Sequence, residues 1–226
     1  PTSKIENIVE EFKPDLILAD QPKHFALKAT ESKIPLILHL RGDFWSEITW
    51  ARETLYKFPH KRFVLKKWEN IAKKCFENSS VMLPICKFLE TRMKEFYPQK
   101  PSHVFYQGIS SERWFPSKGM NLKHPCVGFL QGAVIWGKSK EMLTLSQIIK
   151  KNPNITFYWA GDGPYRERIL SVLKKFENFK WLGPLKYPDQ VRNFLQEIDV
   201  YGLASGIDMS PLTLLEAQLM KKPVIS

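Results

Sequence analysis

Short apolar runs rich in branched and aromatic residues alternate along the chain with stretches whose apolar positions recur at helical spacing. That alternation is the pattern of strands covered by helices in an α/β fold. Runs at 15–19, 35–40, 81–85, 103–106, 126–130, 156–160, 180–182, 199–203 and 223–225 are predicted strands. Several are apolar at successive positions, as buried parallel strands are. Between them Ile5, Ile8, Val9 and Phe12 outline one helical stripe, and Trp68, Ile71, Ala72 and Cys75 a second. Phe88, Leu89, Met93 and Phe96 outline a third, and three more run through 143–149, 169–176 and 191–198. Each stripe is expected to pack on a core. Proline, glycine and polar residues interrupt the rhythm at 115–125, which predicts two α/β domains, 1–116 and 117–226. Open α/β sheets bind ligands beyond the carboxyl ends of their strands, so chemistry is expected there, in a cleft between the domains.

With 43% hydrophobic and 25% charged residues, the 226-residue chain is neither disordered nor collagenous. No apolar run reaches the ~18–20 residues that span a bilayer, and the opening PTSKIENIVEEF is too charged for a signal peptide. A cytoplasmic protein is expected, at the inner face of a membrane if its acceptor lies there. Lys plus Arg exceed Asp plus Glu by 34 to 23, and the formal charge of +11 favours phosphate-bearing partners. Cys75, Cys86 and Cys126 form no C-x-x-C pair, which argues against a disulfide framework and a structural zinc site. No cluster in the sequence calls for a metal or another cofactor. Residues 51–74 carry Arg52, Lys57, Lys61, Arg62, Lys66, Lys67, Lys73 and Lys74 against Glu53 and Glu69, with Tyr56, Phe58, Phe63 and Trp68 interleaved. Such a stretch is a solvated helix face or a peripheral contact with an anionic membrane. No RRM, KH or zinc signature accompanies it, so nucleic acid is not an expected partner.

The segment from Gly206 to Gln218 holds the densest chemistry and reads as loop then helix. Ser210 suits the N-cap and Pro211 the first turn, which leaves backbone N–H groups and the positive end of the helix dipole free for a phosphate. Asp208 and Glu216, eight residues apart, flank that position. A capped surface helix with a solvated glutamate is the plain alternative. Gly132 to Ser139 reads G-x-x-x-x-G-K-S between a predicted strand and helix, which also matches the phosphate loop of nucleotide hydrolases. Its intervening Ala, Val, Ile and Trp are bulky for such a loop, and either reading sends Lys138 to a phosphate.

These residues resemble the E-x7-E region of the retaining GT-B glycosyltransferases of family 4. The resemblance extends to the run Gly161-Asp162-Gly163-Pro164, to Leu182-Gly183-Pro184-Leu185, to the run from Asp199 to Ser205, and to 104–116, in the family's order. It covers the chain from about Pro14 onward. What it implies is two facing Rossmann-like domains, an incomplete chain at both ends, and transfer of a sugar from a nucleoside-diphosphate sugar to a glycan or lipid-linked acceptor with retention. Glu216 would bind the donor ribose, Asp208 the transferred sugar, and the backbone at Met209, Ser210 and Leu212 the diphosphate. Gly183 to Leu185 would lie against the base, and Lys138 near the phosphates beside Gly132. The family's arginine in that loop becomes Ala133. Arg41 stands where many members have a histidine near the transferred sugar, with His39 two residues earlier on the same strand face. A phosphate-loop hydrolase, a basic polyanion-binding module and a sugar-nucleotide epimerase remain the alternatives.

Overall fold

In the computed structural model, residues 3–226 are described, with side chains from Ile5 onward, so the first two residues of the expected N-terminal domain lie outside the description. The chain forms two compact units, one ending at Gln107 and the other Gly108–Ser226. The division falls earlier than the expected 116/117 boundary because Ile109, Trp114, Met120 and Leu122 all pack on the core of the second unit.

The first unit runs α1 (Ser3–Phe12), β1 (Ile17–Asp20), α2 (His24–Thr30), β2 (Leu36–Leu40), α3 (Phe44–Glu53), α4 (Pro59–Asn78), β3 (Val81–Pro84) and α5 (Lys87–Phe96). Its sheet has the order β1-β2-β3 and is wholly parallel. Leu36, Leu38 and Leu40 of the central strand are buried, which fits its apolar sequence. The expected strand at 103–106 runs beside β3 but makes only a bridge from Met82 to Ser102. His103 N–H donates to Met82 O at 3.3 Å and Phe105 N–H to Pro84 O at 2.8 Å. Pro84 has no N–H to return, so the ladder cannot propagate. The apolar stripe of α1 is only partly covered: Ile5 and Val9 are half-buried, whereas Ile8 and Phe12 are 60% and 78% exposed. Edge-strand Leu16 and Leu18 are open as well. Phe88 and Ile148 also point outward, against expectation. Helices α2 and α3 have no clear apolar period in the sequence; α2 buries Ala26 and Ala29, and α3 is capped. Asp43 starts α3 by accepting from Ser46 N–H at 3.2 Å.

The second unit runs β4 (Cys126–Leu130), α6 (Trp136–Ser139), α7 (Leu145–Lys151), β5 (Thr156–Ala160), α8 (Arg166–Leu173), β6 (Phe179–Gly183), α9 (Asp189–Glu197), β7 (Val200–Gly202), α10 (Leu212–Leu219) and β8 (Val224–Ile225). Its five-stranded parallel sheet has the order β6-β5-β4-β7-β8. The first three strands progress to one side of β4 and the last two to the other, so the winding reverses between β4 and β7. Gly128 and Gly202 exist for packing: a Cβ on Gly128 would lie 2.6 Å from Ile198 and Phe194 side chains, and one on Gly202 2.4 Å from the Phe129 ring. Two apolar layers cover the sheet, one around Trp159 and Ile169, the other around Tyr201 and Phe194.

Candidate functional site

A doubly wound sheet opens a crevice where its winding reverses, because the loops after the two central strands leave in opposite directions. Here those are the loops after β4 and β7, and they carry Lys138 and Asp208. The Lys138 ammonium forms an ion pair with the Asp208 carboxylate across that crevice, both groups partly buried. Gln131, the first residue after β4, ties the two loops together. Its side-chain amide donates to Lys138 O and to Ala204 O, each at 3.0 Å. Its main-chain carbonyl accepts from the Trp159 indole at 2.8 Å.

The Gly161-Asp162-Gly163-Pro164 run locks this arrangement through the backbone. Ala133 N–H donates to Asp162 O at 2.9 Å, and Tyr165 N–H donates back to Ala133 O at 3.0 Å. A Cβ on Gly161 would fall 2.0 Å from the Gln131 carbonyl oxygen, and one on Gly163 2.4 Å from that of Ala133. Both glycines are therefore demanded by close backbone approach. Gly132 itself is exposed and would accept a side chain in ordinary contact.

The same geometry removes the phosphate-loop reading. Ala133 N–H is engaged by Asp162, and Lys138 and Ser139 N–H both donate to Ile135 O at 3.0 Å. The Ser139 hydroxyl, fully buried, donates to Ile135 O at 2.9 Å. A phosphate cradle needs those amides directed at the ligand, and a magnesium site needs that hydroxyl. The missing arginine is equally explained, because Ala133 is fully buried. A second cation reaches the head of α6 from elsewhere: Arg168 of α8 lies 3.9 Å over the Trp136 ring.

Helix α10 begins at Leu212, so Pro211 stands at the N-cap position and its ring makes no capping hydrogen bond. Ser210, expected at the N-cap, lies one residue before it. Proline fixes φ for the turn into the helix and supplies no capping oxygen. Asp208, Met209 and Ser210 thus lead into the N-terminus of α10, whose first residue is Leu212. Glu216, one turn further on, is only 4% exposed. Burial holds its carboxyl above the usual range, opposed by a hydrogen bond from Tyr187. Tyr187 belongs to the loop after β6, which brings Gly183 and Leu185 to the same side of the sheet as Glu216. Gly183 has φ +77 and an open Cβ position, so the left-handed backbone rather than space requires glycine there. Leu185 packs partly into the core. Beneath the loop, buried Tyr201 bonds Thr213 Oγ1 at 2.6 Å. Burial pushes its phenol up, the Thr213 hydrogen bond opposes the shift, and the negative charges of Glu216 and Asp208 add to it.

Arg41 belongs to the first unit. Its guanidinium donates to Asp20 Oδ2 at 3.2 Å and to Gln107 Oε1 at 3.4 Å. His39 Nδ1 lies 3.1 Å from Asp20 Oδ1, and its ring meets Phe105 edge-on at 5.5 Å. Both predicted residues thus converge on Asp20, at the carboxyl end of β1. Sequence reasoning missed Asp20, Gln131, Tyr187 and Tyr201. Of these, only Gln131 had a local signal, its place directly after a strand.

Residues 140–226 match the family model described as glycosyl transferases group 1. The O-antigen biosynthesis glycosyltransferase WclY of Escherichia coli is 24% identical over 136 residues, which is 58% of this chain and 38% of that protein. The chain thus spans less than half the length of that curated relative. Among solved structures, HepE of Anabaena in complex with UDP aligns with a TM-score of 0.70 at 16% identity, covering 100% of this chain and 62% of that one. Sucrose-phosphate synthase of Thermosynechococcus elongatus aligns at 0.78 with 12% identity, covering 99% of this chain and 58% of that one. The chain has the α/β fold of GT-B glycosyltransferases with two parallel sheets, and its residues 140–226 are similar to the group 1 glycosyl transferases.

Proposed function

We propose that the protein is a glycosyltransferase that takes its sugar from a nucleoside-diphosphate donor bound by the second unit. The observation that carries this reading is the Lys138–Asp208 ion pair at the winding reversal, with the start of α10 following Asp208 and Glu216 one turn beyond. Breaking the bond between the sugar and the diphosphate leaves negative charge on phosphate oxygens. Lys138 and the first amides of α10 are fixed donors for that charge. Asp208 holds Lys138 in place and accepts hydroxyl hydrogens of the transferred sugar. Glu216, a buried carboxylate, accepts from the ribose hydroxyls. The loop from Gly183 to Leu185 borders the base. Transfer proceeds with retention in this reading, and needs no cofactor beyond the donor.

The acceptor falls to the first unit. A cavity of about 570 Å³ lined by Gln21, His24, Phe44, Ile48, Trp68 and Ile71 opens just past β1. Gln21 follows Asp20, the carboxylate that holds Arg41 and His39, and its N–H donates to His39 O at 2.9 Å. An apolar cavity beside an exposed guanidinium suits a glycan acceptor on an anionic lipid carrier. Leu55, Phe58 and Phe63 are 63%, 60% and 76% exposed in the basic segment 51–74, which suits contact with an anionic membrane surface. No helix among the described residues is long and apolar enough to cross a membrane.

The test is transfer itself. The chain is incubated with a panel of uridine and guanosine diphosphate sugars and lipid-linked oligosaccharide acceptors, and released nucleoside diphosphate and product are measured. Acceptor-dependent release, abolished by Asp208→Ala, with the donor's anomeric configuration in the product by NMR, is the expected result. Magnesium-dependent hydrolysis of a triphosphate, indifferent to Asp208, would overturn it.

A further inference from the structure

A second cluster of chemistry lies at the opposite ends of the same strands. His124 and Cys126 flank the start of β4, and Asp199 stands just before β7, whose first residue Val200 pairs with Val127. One ligand atom from each lies within 4.8 Å of the others. Asp199 Oδ2 is 2.9 Å from His124 Nδ1, and Cys126 Sγ is 3.8 Å from the same nitrogen. Tetrahedral coordination at ~2.0–2.3 Å would set these two separations near ~3.4 and ~3.6 Å, within about half an ångström of those observed, and the third pair lies within the same 4.8 Å. The outer contacts are also in place. His124 Nε2 faces Glu197 Oε1 at 3.0 Å, and Glu197 Oε2 accepts from Met120 N–H at 3.1 Å. Asp199 is fixed by Cys126 N–H at 2.7 Å. A carboxylate on the far nitrogen of a histidine is the arrangement that orients imidazole ligands in metal sites.

We propose that His124 Nδ1, Cys126 Sγ and an Asp199 carboxylate oxygen bind a divalent transition-metal ion of the zinc class, with a water completing the coordination. The mixed nitrogen, sulfur and oxygen donor set suits zinc or cobalt and disfavours calcium and magnesium. Binding converts the thiol to a coordinated thiolate and releases its proton to solvent. The site lies at the amino ends of β4 and β7, whereas Lys138 and Asp208 lie beyond the carboxyl ends, so the ion pins the incoming 119–126 segment to the sheet and takes no part in transfer. Glu197 is a positioning residue, not a ligand.

The experiment titrates the reduced, chelator-treated chain with Co²⁺, followed by Zn²⁺ competition. The expected result is one equivalent of cobalt with a thiolate charge-transfer band and tetrahedral d–d bands, displaced by zinc. Cys126→Ser removes the charge-transfer band while Cys75→Ser and Cys86→Ser leave it. His124→Gln, at a half-exposed position that tolerates change, abolishes the tetrahedral spectrum. Glu197→Gln weakens affinity about 10–100-fold without changing the band. Absence of a one-equivalent thiolate band in the folded wild type, or a band unaltered by His124→Gln and Cys126→Ser, would overturn the proposal.

Discussion

The two units meet the same task, presenting chemistry beyond the carboxyl ends of a parallel sheet, by different means. In the second unit the strand-end loops are locked by main-chain contacts: Ala133 to Asp162, Tyr165 to Ala133, and Gly161 to Gly183. In the first unit main-chain bonds such as Gln21 N–H to His39 O only continue the ladder, and the groups beyond the strand ends are gathered by a side chain, with Asp20 between His39 and Arg41. A backbone lock dictates residue types, because only glycine permits the approach. A side-chain cluster dictates almost nothing locally, since any pair of complementary groups closes it.

The largest expected effect comes from removing charge at the winding reversal. Lys138→Ala should lower kcat about 10²–10³-fold, the scale for losing a fixed donor to a developing anion. Arg41→Ala should instead raise the acceptor KM, by about tenfold, and leave nucleotide affinity unchanged. Equal losses of nucleotide affinity in the two variants would erase the proposed division of labour.

Next comes the glycine contrast. Gly161→Ala places its Cβ 2.0 Å from a main-chain oxygen, whereas Gly42→Ala in the first unit meets the far end of the Glu47 side chain at 2.6 Å. The first should cost about 1–3 kcal/mol and lower the melting midpoint by several degrees; the second should move it little. Thermal unfolding of both variants reads the difference.

The smallest effect is in pH. Burial raises the Glu216 carboxyl above its unfolded value, so the folded state takes up this proton first as pH falls. The buried charge costs stability above the folded pKa, and that cost is relieved as pH falls toward ~4.3. Nucleotide binding, which needs the carboxylate, weakens over the same descent. Tyr187→Phe removes the hydrogen bond that opposes the shift, so the loss should begin at higher pH. Titrated nucleotide affinity in wild type and variant checks the sign.

These physical differences also govern what was legible in the sequence. The strands 126–130 and 156–160 match the observed bounds because both are buried along their length. The stretch 103–106 has strand-like residues, but the missing donor belongs to Pro84, a partner no local window contains. Phe12 and Ile8 have helical spacing yet are mostly exposed, since periodicity reports a face and not what covers it. In the site, Lys138, Asp208 and Glu216 were legible because loop and helix-start chemistry is local. Tyr187 and Asp20 were not, because their roles exist only once distant strands align. The same holds for His124 and Asp199, which are brought together by the pairing of β4 with β7.

The most direct test of the account is nucleotide binding by calorimetry, with uridine, guanosine and adenosine di- and triphosphates against wild type and Glu216→Ala. The account predicts that one nucleoside diphosphate binds at neutral pH and that Glu216→Ala, still folded, loses that binding. Triphosphate binding indifferent to Glu216, or a folded wild type that binds none of them, would contradict it.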